Sequence, residues 1–76
     1  MTNDEIKIAL RKRCPIIHND KYRQTKIKYL YARAWRVTVD RYTGAFVSEL
    51  ELVDRTGRSI TIATADECEM LEGAER

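Results

Sequence analysis

Apolar residues recur at helical spacing over the first dozen positions, and from Ile16 onward the period changes to two. Ile6, Ala9, Leu10 and Arg13 follow the 3, 4 spacing of one helical face, so the apolar stripe is narrow. Thr2 and Glu5 stand three apart, as a capping box requires. Asp4 and Glu5 fall at the positive end of the helix dipole, and Arg11, Lys12 and Arg13 at the negative end. Pro15 stops the helix and biases Cys14 towards extended backbone. The pattern predicts a helix from Asn3 to Lys12 that must pack on something larger.

Ile16-Ile17 reads as a short strand, followed by His18-Asn19-Asp20-Lys21 as a turn. A long strand is expected from Lys26 to Asp40. Its odd positions, Ile27, Tyr29, Tyr31, Arg33, Trp35, Val37 and Val39, form an apolar face interrupted only by Arg33. Ala32-Arg33-Ala34 breaks the pattern, which predicts a bulge or bend there.

Two hairpins follow, and strand phase types their turns. Phe46, Leu50 and Leu52 must share a face with Val39, Val37 and Trp35, because a slip of one residue sends the apolar set to solvent. A four-residue loop Arg41-Tyr42-Thr43-Gly44 then pairs Val39 with Phe46, Trp35 with Leu50 and Arg36 with Glu49. For the second hairpin, a three-residue loop Arg55-Thr56-Gly57 sets Leu52 opposite Ile60 and Leu50 opposite Ile62. Gly44 and Gly57 take the left-handed positions. Thr64 starts one helical turn, after which Cys68 and Met70 alternate with Glu67 and Glu69 as a short last strand; a single short helix to Glu72 is the rival. The expected fold class is mainly β with one N-terminal helix. Its five antiparallel strands form a small barrel or strongly coiled sheet over about 14–71, within one domain spanning 1–76. Residues 72–76 read as a frayed tail.

Composition narrows the chemistry. No run approaches the roughly 18 apolar residues a membrane helix needs, and no secretory signal is present, so a cytoplasmic protein without membrane contact is expected. Cys14 and Cys68 are read as free, half-buried thiols. Cys14 and His18 have Cys-x-x-x-His spacing and Cys68 is a conceivable third ligand, but zinc usually takes four, and no metal or cofactor is expected. Ser48 and Ser59 lack a nucleophile context, the single histidine lies in the expected turn, and no Gly-rich phosphate loop exists. The chain is therefore not expected to be an enzyme.

Net charge is +2, but unevenly spread. Positions 1–36 hold ten Lys/Arg against three Asp/Glu, and positions 37–76 hold four against nine. The candidate binding residues come from the basic half: Arg11 and Arg13 at the helix end, then Tyr22, Arg23, Lys26, Lys28, Arg33 and Arg36. Cations interleaved with aromatics suit nucleic acid, phosphates meeting the charge and bases the ring faces. The opposing reading makes Tyr29, Tyr31 and Trp35 core and pairs the strand cations with Glu49 and Glu51 next door. Arg33, beside Trp35, either stacks on an aromatic or marks where the strand bends outward.

Cys14-Pro15-Ile16-Ile17 with a turn and Tyr22, together with the stretch from Glu49 through Asp54-Arg55-Thr56-Gly57 to Ala63, resembles certain small uncharacterised bacteriophage and prophage proteins of SH3-type barrel fold. The likeness spans Ile16 to Leu71 and leaves the helix outside. It implies a five-stranded SH3-like barrel and a phage-related context, and it carries no functional position. The expected function is a non-catalytic module that binds a protein partner or itself, with nucleic-acid binding as the alternative.

Overall fold

A computed structural model describes residues 1–71; the expected tail at 72–76 lies outside the described residues. Helix α1 (Asn3–Lys12) has the capping box in place: the Thr2 hydroxyl accepts from the Glu5 amide at 3.2 Å, and the Glu5 carboxylate accepts from the Thr2 amide at 2.8 Å. Arg13 ends the helix in the left-handed conformation. Ile6 and Ala9, the centre of the narrow stripe, are fully buried, and α1 packs against the long strand.

Six strands follow: β1 (Ile16–Asp20), β2 (Thr25–Tyr29), β3 (Tyr31–Val39), β4 (Phe46–Val53), β5 (Ile60–Thr64) and β6 (Cys68–Met70). They form two antiparallel three-stranded sheets, ordered β2-β1-β6 and β3-β4-β5. The mainly β fold with an N-terminal helix is thus as expected, but the described strands do not close into a barrel. The 3-10 turn Ala65–Glu67 lies between β5 and β6, so the last segment is a turn plus strand rather than a helix.

Three expectations about strand limits and register need correction. The single strand Lys26–Asp40 is two strands, because Leu30 leaves the β1 ladder and donates its amide to the Val53 carbonyl at 2.9 Å. Consecutive residues thereby serve different sheets. Next, β1 runs through His18 to Asp20, and the turn falls at 21–24 instead, where the Asp20 carboxylate accepts from the amides of Tyr22 and Arg23 at 3.0 and 3.1 Å.

Finally, the second hairpin is one residue out of the expected register. Asp54 donates to the Ser59 carbonyl at 3.0 Å, which closes a loop of four residues and pairs Val53 with Ile60 and Leu52 with Thr61. Ile60 and Ile62 consequently turn to the face of Val53 and Glu51, where they are 41% and 50% exposed. Small residues, Thr61 and Ala63, take the inward places, leaving room for Cys68 and the 3-10 turn against the core. Gly57 and Gly44 both have φ of +74°, as their turns require.

The first hairpin matches its expectation throughout. Val39 pairs with Phe46, Trp35 with Leu50 and Arg36 with Glu49, and the register shifts between Ala32 and Ala34. That bulge releases Arg33 from the apolar face and lets it reach Glu51. The core gathers Ile6, Ala9, Ile16, Tyr29, Ala32, Leu50, Leu52, Ala63, Ala65 and Cys68. Leu50 and Leu52 are fully covered, each stabilising the fold by about 1.5–3 kcal/mol through burial.

Candidate functional site: a bare hairpin end beside a divided set of cations

The eight sequence-predicted binding residues do not behave as one group. Arg33 donates through Nε to Glu51 at 3.0 Å, and Arg36 lies 3.5 Å from Glu49, so the bulge and register neutralise both within the β3–β4 hairpin. Arg23, in the first turn, comes only within 4.0 Å of Asp20 and remains largely in solvent. Arg13 sits over the Tyr31 ring, 5.0 Å from its centroid, which makes it a stacking contact between helix and sheet. Arg11 is exposed on the last helical turn.

Lys26 and Lys28 project from one face of the edge strand β2, opposite Asn19 and Ile17, and make no ion pair among the described residues. Tyr22 is wholly exposed at the turn preceding them. A cleft of about 320 Å³ joins Lys28 to Arg55 over Pro15, Tyr29 and Leu30. Arg55 is not among the sequence-predicted residues, and the Leu30 crossover is what brings its hairpin beside β2.

An apolar surface lies at the far end of β3 and β4, on a face that alternation assigns to the core. These strands are nine and eight residues long, against five or fewer for the others. The extra length carries Val37, Val39 and Phe46 past the elements that cover Trp35 and Leu50. The three side chains share a face of the ladder with the core and are 56%, 58% and 79% exposed. Tyr42 in the loop beyond them is also largely exposed. At the base of this region, a second cleft of about 280 Å³ is lined by Met1, Phe46, Val47, Ser48, Ala65 and Asp66. The expectation that Phe46 points into the core is corrected: its partner and face are as expected, but its side chain is largely exposed.

A polar cluster joins β1 to the segment from Thr64 to Cys68. His18 Nε2 lies 3.3 Å from a Glu67 carboxylate oxygen that also accepts from the Thr64 hydroxyl at 3.0 Å. Cys68 pairs with His18 in the ladder and donates its thiol to the Thr64 carbonyl at 3.4 Å. Burial pushes that thiol up to about 11, so it is held as the weakly nucleophilic protonated form. Neither cleft described above is lined by His18, Glu67 or Cys68. Among the described residues no three His, Cys, Asp or Glu side chains gather as metal ligands, and no helix is long and apolar enough to cross a membrane.

No protein-family model matches the chain, and no curated protein or solved structure is significantly similar to it.

Proposed function

We propose that this chain is a non-catalytic interaction module of SH3-like architecture, acting in the cytoplasm in a phage or prophage setting. The architecture is supported by the strand order: β6, β1 and β2, then across Leu30 into β3, β4 and β5, with a 3-10 turn before the closing strand. The setting rests on the resemblance carried by Cys14 to Ile17 and Glu49 to Ala63. The observation that carries the function is the bare end of the β3–β4 hairpin. Val37, Val39 and Phe46 expose apolar area on a face that is core one row away, and such area on a small domain is ordinarily covered by another protein.

A photoreactive benzophenone amino acid at position 46 tests the reading in producing cells. A discrete cross-linked species is expected from position 46 and none from the same probe at exposed Lys7; equal labelling from both positions overturns it.

Nucleic-acid binding is the second reading, favoured by the unpaired Lys26 and Lys28 beside exposed Tyr22. It requires affinity that falls steeply with salt and is lost in the Lys26→Glu/Lys28→Glu variant. Gel-shift titration at low salt reads both.

A further inference from the structure

Among the described residues strand β3 is a free edge of its sheet, and the direction of its hydrogen-bonding groups follows from one bond. Asp40 donates to the Ala45 carbonyl at 2.8 Å, so its backbone faces β4. Antiparallel alternation then turns Thr38 and Arg36 towards β4 as well, and directs the backbone groups of Trp35, Val37 and Val39 outward. Exposed sheet edges are usually blunted by Lys, Pro or a bulge. This one carries neither residue between Arg36 and Asp40, and its bulge lies further back, at Arg33.

We propose that the β3 edge pairs with the same edge of a second copy of this chain, antiparallel about a two-fold axis at Thr38, to give a continuous six-stranded sheet. The proposal rests on the interaction-module reading and names its partner. Outward-facing groups must meet outward-facing groups, so odd positions oppose odd positions across the axis. With Thr38 on the axis, Val37 meets Val39 of the second copy twice, Thr38 meets Thr38, and Arg36 meets Asp40 of the second copy twice.

Moving the axis to Val37 sets Arg36 opposite Thr38 and Asp40 opposite Ala34. Moving it to Val39 sets Asp40 opposite Thr38 and Arg36 opposite Tyr42. Only the Thr38 register of these three matches charge with charge and apolar with apolar, as favourable cross-strand pairs require. Both charged groups keep capacity for the contact. Arg36 approaches Glu49 through Nε, which leaves its terminal nitrogens, and Asp40 accepts from its loop through Oδ1, which leaves Oδ2. The exposed Val37, Val39 and Phe46 of both copies then form one apolar strip across the axis.

Strand β5 is the competing edge. Its outward positions include Ile60 and Ile62, but no pair of opposite charges lies along it to set a register. Cysteine cross-linking separates the two edges, because the native thiols Cys14 and Cys68 are both buried. In the full chain under mild oxidation, Thr38→Cys is expected to run largely as a disulfide-linked dimer on a non-reducing gel, while Ile62→Cys stays monomeric. Positions on the axis in a non-hydrogen-bonded pair bring their Cβ atoms within about 4.5–5.5 Å.

Sedimentation equilibrium of the unmodified chain is expected to show a reversible dimer, with a dissociation constant raised at least about tenfold by Val37→Lys, whose side chain is already exposed. A monomer up to about 1 mM overturns self-pairing, as does cross-linking through Ile62→Cys in place of Thr38→Cys. If the chain is monomeric but the probe at position 46 still captures another protein, self-pairing falls and the interaction-module reading survives. If neither association nor capture occurs, both fall.

Discussion

At the scale of single residues, three aspartates organise the loops. Asp20, Asp40 and Asp54 each stand at the start of a hairpin connection and accept, through one carboxylate oxygen, the amide two residues on. Asp40 is held below the usual carboxylate range chiefly by the Thr43 amide and then by that of Tyr42. Asp54 is lowered chiefly by the Thr56 hydroxyl, 2.7 Å away. A carboxyl group whose pKa is lowered by folding stabilises the native state above its unfolded value, about 3.9 for Asp, and that contribution is lost as pH falls below it. Asp40→Asn keeps an acceptor for the loop but removes the charge. Its melting temperature is therefore expected to lie below that of the parent at neutral pH and to converge with it only at an acid pH below the carboxyl's own lowered range. Thermal melts at the two pH values check this, and a constant gap would count against the charge as the cause.

At the scale of elements, the second hairpin is the instructive case. The apolar pattern predicts the three-residue loop Arg55-Thr56-Gly57, which buries Ile60 and Ile62. The structure instead closes a four-residue loop that sets Thr61 and Ala63 inward, and Ala63 shares the core cluster with Ala65 of the 3-10 turn. Substitution distinguishes the registers: Ile62→Thr is expected to cost less than about 1 kcal/mol, as a half-exposed site should. Leu52→Ala, opposite Thr61 in the core, is expected to cost about 2–5 kcal/mol. Chemical denaturation measures both, and equal costs would restore the register with Ile60 and Ile62 inward. The helix, the first hairpin and the Arg33 bulge were legible because caps, glycines and alternation all agreed there. The Leu30 crossover was not, because Tyr29 and Tyr31 keep the odd-position phase on either side of it, and only pairing with different neighbours divides the strand.

For the whole molecule, the decisive feature is that β3 and β4 outrun their cover. The extents of 41 × 27 × 21 Å describe an elongated body. The candidate cations were legible as residues but not as a site: hairpin phase sets Arg36 against Glu49, whereas the contact of Arg33 with Glu51 needs the bulge and the cleft joining Lys28 to Arg55 needs the Leu30 crossover. The exposed apolar end was not legible at all: Val37, Val39 and Phe46 have the same alternation as the buried Leu50 and Leu52. Closure of the β6–β1 ladder over the core has its own readout. Cys14 and Cys68 are both buried, and burial keeps Cys68 protonated. Both thiols are expected to resist a thiol-specific chromogenic reagent in the folded protein at neutral pH and to react together on unfolding. Rapid labelling of Cys68 in the native state would show that β6 is not held against β1.

Order along the chain was enough for the capped helix, the strand-and-turn rhythm, the left-handed glycines, the bulge and, through the phase of the first hairpin, the pairing of Arg36 with Glu49. Tertiary structure alone decided which strands share a sheet, which isoleucines face inward, and where the core ends. Periodicity assigns a residue to a face, but burial depends on whether another element lies over that face, and that depends on strand lengths and crossings set by the whole chain.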